Sequence, residues 1–125
     1  MTRVTYDLFP GFEDVYLEDS YVLGIAQTSV SLSFALEVVL RESHPLYHEP
    51  APGLQYFTLK AMLDFPDPET VRWLERRFVP ATDATGEVDY GTIDLFYRDG
   101  PRYRLAGEWG DVEIVSAPPR LKFLE

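Results

Sequence analysis

His44 and His48 are the only imidazoles in the chain, and they stand four positions apart. On a helix that spacing puts both rings on one face, where they could ligate zinc. Pro45 lies between them and Pro50 follows, so a regular helix is not expected. In an extended chain the two rings would stand about 13 Å apart at ~3.3 Å per residue. The pair therefore reads as solvated loop histidines. Ser43 adjoins His44, but neighbours on a strand point apart, so the two do not make a nucleophile and its base. Cysteine is absent, which removes disulfides, thiolate zinc sites and a cysteine nucleophile. No metal, cofactor or catalytic residue is assigned.

The carboxylates gather as Glu13 with Asp14, Glu18 with Asp19, and Asp83 with Glu87 and Asp89. Glycoside hydrolysis needs two carboxylates across a cleft, and a hard cation needs several oxygens converging. The third group lacks the glycine and the terminal bidentate residue of a calcium loop, so it reads as a charged loop. Asp19 beside Ser20 reads as a turn or sheet-edge hydrogen bond.

Trp109 lies between Gly107 and Gly110, where glycines let the backbone turn sharply and either expose or bury the indole. Exposed, it would be a binding anchor. Buried, the favoured alternative, it closes one end of the domain. Tyr90, Tyr97 and Tyr103 lie close to it in sequence and line either a core or a pocket. Arg72, Arg76 and Arg77 form one positive group and Arg98, Arg102 and Arg104 another. The first reads as a solvated helix face, and the second is expected to pair with Asp94 or Glu113 across a hairpin. The candidate binding residues are thus Trp109, Tyr90, Tyr97 and Tyr103, with Glu18 and Asp19 from the acidic surface.

The elements that must position these residues are mostly strands. Val30, Leu32, Phe34, Leu36, Val38 and Leu40 put an apolar side chain at every second position, the period of a strand. A strand from Ser29 to Arg41 would be about twice the usual ~17 to 20 Å, so a bend or bulge is expected near Val39, the one apolar exception on the other face. That other face carries Ser29, Ser31, Ser33 and Ala35, small enough for another layer to approach. Tyr16 to Ile25 is its expected hairpin partner, with Tyr21, Leu23 and Ile25 towards the core. Before it, Met1 to Phe12 reads as an arm that packs and then turns at Pro10 and Gly11.

Glu42 to Gly53, with three prolines, reads as a long loop, and Leu54 to Phe65 as a third strand. Asp67 and Pro68 offer a cap and a first-turn proline, so a short helix is expected near residues 68–77, with Val71 and Leu74 as its apolar stripe. Val71 to Phe78 also admits a strand. After a polar loop from Pro80 to Asp89, a meander runs from Tyr90 through the Asp99 and Gly100 turn and the Glu108 to Asp111 turn to Ser116. Pro101 could lengthen the first of these turns. Leu121 to Glu125 suggests a last edge strand. About seven strands with short links imply one mainly β domain, either a partly open antiparallel barrel or a small sandwich.

The 125 residues suit a single core, and 46% apolar against 26% charged residues places the chain among folding sequences. A net charge of −10 disfavours nucleic acid and anionic membrane as partners and speeds encounter with a basic one. The N-terminal residues have no apolar stretch of signal-peptide length, and no later segment approaches a membrane span, so the cytoplasm is the expected compartment.

The run Leu17, Glu18, Asp19, Ser20, Tyr21, Val22, Leu23, Gly24, Ile25, followed by the alternating strand and by Gly110, Asp111, Val112, Glu113, Ile114, resembles small all-β bacterial proteins of unknown function. These include immunity-type proteins encoded beside secreted toxins. Many of those proteins have a histidine before the aspartate, where this chain has Glu18, and no functional residue is carried over. The resemblance implies a cytoplasmic binding module that masks a basic partner. The alternatives are a small-ligand-binding barrel, or an enzyme built on one, and a homodimer formed through a strand edge.

Overall fold

The alternation from Leu32 to Leu40 forms an inner strand of one of two packed sheets, with Val30 exposed before it. The structure, a computed structural model, describes residues 3–78, 81–82 and 86–124. Its strands are β1 (Arg3–Thr5), β2 (Val15–Gln27), β3 (Ser31–Leu40), β4 (Thr58–Pro66), β5 (Thr70–Arg76), β6 (Ala81–Thr82), β7 (Val88–Asp89), β8 (Ile93–Asp99), β9 (Arg102–Gly107), β10 (Gly110–Val115) and β11 (Arg120–Phe123). One short 3-10 turn spans Tyr6–Leu8. A five-stranded antiparallel sheet in the order β1-β8-β9-β10-β5 faces a four-stranded one in the order β11-β4-β3-β2, and β6 and β7 form a small ribbon. The architecture is a sandwich, and neither large sheet closes on itself. The expected strand near the C-terminus ends at Phe123, while Asp83 and Glu125 lie outside the described residues.

The core fills the space between the sheets. Phe34 of β3 meets the Trp109 ring at 5.2 Å, and Phe65 of β4 meets Phe96 at 6.0 Å and Tyr103 at 5.8 Å, all edge-on. Such contacts let aromatic rings interlock without a void. The N-terminal arm joins this core, with Tyr6, Phe9 and Phe12 buried. It packs against Phe96 and Tyr103. It leaves the small outer face of β3 uncovered, where Ser31, Ser33 and Ala35 are half-buried and Ser33 donates to Asp64 Oδ1 at 2.6 Å.

The helix expected near residues 68–77 is replaced by strand β5. Asp67 sits at φ 42°, a left-handed conformation that an N-cap does not adopt. The chain then pairs with β10, with Val71 opposite Ile114, Arg72 opposite Glu113 and Trp73 opposite Val112. Val71 and Trp73, two apart, turn inward against the core, whereas Leu74 is 38% exposed. Trp73 lies off the helical stripe of Val71 and Leu74 but on the strand's inward face, and a β-branched Thr–Val start favours the strand.

The expected core face of β2 is also corrected. Tyr16 pairs with Val39 and Tyr21 with Glu37, so four residues of β2 stand opposite Val38 alone. The three surplus residues break the alternation, and Ser20 and Val22 become buried while Tyr21 is exposed. A second bulge between Val22 and Gly24 restores the phase, returning Ile25 to the core side. The irregularity expected near Val39 thus sits in its partner strand, and β3 runs ten residues. The third strand starts at Thr58, later than expected, because residues 54–56 are exposed on the surface and Phe57 is the first to pack on the core and accept from β3, at Leu40 N.

Both meander turns are two-residue links. Asp99 pairs directly with Arg102, so Pro101 does not lengthen the first, and Gly100 supplies the positive φ of 61° at the first loop position. The second link is Glu108 and Trp109, between the paired Gly107 and Gly110. The Trp109 indole folds back over Gly107 and donates to Thr92 O at 3.0 Å. A Cβ on Gly107 would lie 2.5 Å from that indole nitrogen and 2.1 Å from Thr92 O, which is why only glycine fits there.

Candidate functional site

The β2 bulge between Tyr16 and Tyr21 is the most elaborately held piece of surface in the described structure. Ser20, fully buried, donates to Tyr16 O at 2.7 Å and accepts from Val39 N at 2.9 Å, so one hydroxyl closes the bulge on itself and ties it to β3. The bulge turns Glu18 out to solvent and leaves Asp19 half-buried. Each is then gripped by a tyrosine from a distant segment. Tyr6 OH donates to Glu18 Oε1 at 2.5 Å and accepts from Leu17 N at 3.1 Å. Tyr56 OH donates to Asp19 Oδ2 at 2.8 Å.

These bonds raise the phenol pKa values. Tyr6 rises chiefly through burial, with its hydrogen bond to Glu18 next. Tyr56 rises chiefly through its bond to Asp19. For Tyr6 burial and the Glu18 carboxylate favour the neutral phenol, and for the exposed Tyr56 the bond to Asp19 does so.

Shallow depressions flank the bulge. One, of about 320 Å³, lies beside Tyr6, Tyr16, Glu18, Asp7 and Asp94, and a smaller one of about 150 Å³ lies beside Tyr21, Glu37, Glu87 and Asp89. A third, of about 340 Å³, continues past Tyr16 to Tyr47, Tyr56 and Phe57. Arg41 lines the first and third and is the one cation at the three among the described residues, and its guanidinium sits 4.9 Å from the centre of the Tyr16 ring. Across this face carboxylates alternate with tyrosines. A carboxylate has about four acceptor positions, so Glu18 and Asp19 retain capacity after their tyrosine bonds. The arrangement can accept hydrogen bonds from Lys or Arg. The Ser20 hydroxyl, buried and engaged as both donor and acceptor, is held as a structural group.

The sequence-designated residues divide. Glu18 and Asp19 meet in this face. Trp109 is fully buried and the Tyr103 ring, 5% exposed, belongs to the core between the sheets, whereas Tyr97, 8% exposed, lies outside that core and lines the depression beside Tyr6 and Glu18. Trp109 lies between Phe34 and Trp73, while the Arg3 guanidinium covers the Tyr97 ring at 4.3 Å. Tyr90 is half-buried, and its N–H bonds Val22 O. Arg104 pairs with Asp111 in a two-point bond of 2.5 and 2.7 Å, in place of Asp94 or Glu113, because Asp111 lies diagonally within reach on β10. That bond holds the Asp111 carboxyl below its ordinary range.

His44 packs against Phe123 and accepts from Leu46 N, His48 packs against Phe57, and Ser43 donates to Asp14. Among the described residues no three His, Asp or Glu side chains converge as a metal site would require. Tyr6, Tyr16 and Tyr56 were not designated from the sequence. The two tyrosines that flank Leu17 to Ser20 were a signal for this face; the reach of Tyr6 and Tyr56 was not legible. No helix among the described residues is long and apolar enough to cross a membrane. No protein family, curated protein or solved structure matches the chain.

Proposed function

We propose that this chain is a non-enzymatic binding module that offers the Glu18 and Asp19 bulge to a basic segment of another protein. The observation that carries the reading is the pair of carboxylates fixed by tyrosine hydroxyls on a bulge locked through Ser20. Preorganised acidic groups lose little freedom on binding, and tyrosines beside them supply rigid contact area. The net charge of −10 supports a basic protein partner over nucleic acid or a membrane surface. In the immunity-like version, in a bacterial cytoplasm, the partner is a basic toxin. The reading of a ligand held inside a barrel has less support, because aromatic side chains fill the space between the sheets.

A Lys- and Arg-rich peptide titrated into isotope-labelled protein tests this. Amides from Tyr16 to Tyr21 should shift, and the Glu18→Gln, Asp19→Asn double variant should bind about tenfold more weakly, as the loss of central contacts implies. Equal affinity of the double variant, or shifts spread evenly over the acidic surface, would overturn the assignment.

A further inference from the structure

A second recess, away from the acidic face, has the opposite character. It is a groove of about 650 Å³ bounded by β1, the turn after the 3-10 segment, the β8–β9 hairpin and the link from β10 to β11. Val4, Leu8, Phe9, Pro118 and Pro119 form its walls, and Leu8 is 71% exposed there. That volume falls within the range of small-molecule sites.

The charged and polar groups in the groove are Arg98, Arg120 and Tyr103, and no carboxylate lines it. In a chain with 21 acidic and 11 basic residues, that local balance is reversed. Neither arginine is ion-paired among the described residues. Arg98 gives one N–H to Gly100 O at 3.1 Å, which anchors its guanidinium and leaves further donors. Tyr103 is only 5% exposed, its ring held edge-on by Phe9 and Phe65. Its hydroxyl makes no hydrogen bond among the described residues and remains open to the groove. Burial raises the Tyr103 pKa, with the Arg98 charge acting in the other direction, so the phenol is a neutral donor beside a cation.

We propose that this groove binds a free apolar monocarboxylate, its chain along Leu8, Phe9 and the two prolines and its carboxylate received by Arg98, Arg120 and the Tyr103 hydroxyl. Guanidinium donors match the planar carboxylate, and charge-assisted bonds are stronger than neutral ones. An uncharged apolar molecule would satisfy the walls and leave the donors unmatched. A small inorganic anion would do the reverse.

Octanoate, octan-1-ol and inorganic phosphate, each titrated against the isotope-labelled chain, separate these cases. Octanoate should give saturable shifts at Leu8, Tyr103, Ala117 and Arg120, with octan-1-ol and phosphate each about tenfold weaker or more, given the usual strength of bonds to charged groups. Arg120→Gln, at an exposed edge-strand position, should weaken octanoate several-fold while leaving octan-1-ol unchanged, and Tyr103→Phe should weaken it with the ring retained. Arg98→Gln removes the bond to Gly100 as well, so Arg120→Gln carries the decision. Octan-1-ol or phosphate binding as tightly as octanoate, shifts confined to other surfaces, or undiminished octanoate affinity in Arg120→Gln would overturn the proposal.

Discussion

Tyr6 links the N-terminal arm to both the core and the acidic face through one ring. The ring stacks on Phe96 at 6.2 Å between centroids, and the hydroxyl serves Glu18 and the Leu17 amide. Tyr6→Phe would leave that buried N–H without its partner, and urea unfolding should show a loss of about 1–3 kcal/mol. The same substitution bears on alkaline stability. The folded phenol titrates above its unfolded value of about 10, so its contribution is fully present below that pH and is lost as pH rises through the folded value. The wild-type chain should therefore weaken above about pH 10, and Tyr6→Phe should remove part of that alkaline slope. An unchanged slope would place the effect in Tyr56 and Tyr103, which are raised as well. At this scale the sequence disclosed residue types but not company. Glu18 and Asp19 stood out as an acidic pair, while Tyr6 and Tyr56 lie 12 and 37 positions from their partners and only the fold unites them. Trp109 could be placed at a turn from its glycines, and its burial follows from the indole folding over Gly107, a contact that needs Thr92 in position.

At the scale of elements, alternation was legible wherever one strand kept its phase. β3, β4, β9 and β10 follow directly from apolar residues at every second position, whereas β8 carries a bulge between Ile93 and Leu95 that leaves Leu95 exposed and turns Phe96 into the core. β2 has the same pattern on paper, but its surplus residues shift the phase twice, and a serine placed on the buried side is the only local trace of this. Ser20→Ala tests that device. Removing the hydroxyl leaves the Val39 amide unbonded, with an expected cost of about 1–3 kcal/mol, and faster amide exchange at Val39 should report the loosened bulge. Full stability in Ser20→Ala would mean the surplus residues hold their shape without it. β5 reads first as a helix, with the strand as the alternative, because Asp67 and Pro68 imitate a helix start, whereas the deciding information lies in β10, which offers Glu113 to Arg72 and Val112 to Trp73. Backbone pairing supplied by a distant strand outweighs a weak local preference.

For the whole molecule, the free sheet edges bear on self-association. β1 has three residues and β11 four, β5 carries a bulge opposite the Asp111–Val112 step together with Arg72 and Arg76, and the long edge β2 is bulged twice and part-covered where Val22 bonds Gly91 and Tyr90. Short, bulged and charged edges resist strand addition. Light scattering should therefore return the mass of one chain, 14.4 kDa; twice that mass would show that one of these edges pairs. The sandwich itself was one of two architectures the strand pattern allowed, and nothing local in the sequence separates an open barrel from two facing sheets. What separates them is where the sheets touch. Val22 donates to Gly91 O at 2.9 Å and accepts from Tyr90 N at 2.8 Å, so backbone of one layer is bonded to the segment that leads into β8 of the other. Side-chain packing alone permits small sliding of one layer over another, but a reciprocal pair of main-chain bonds does not. The two layers are therefore joined along that line by main-chain bonds, with Tyr21 bridging to Thr92 beside them, as well as by the rings packed between them.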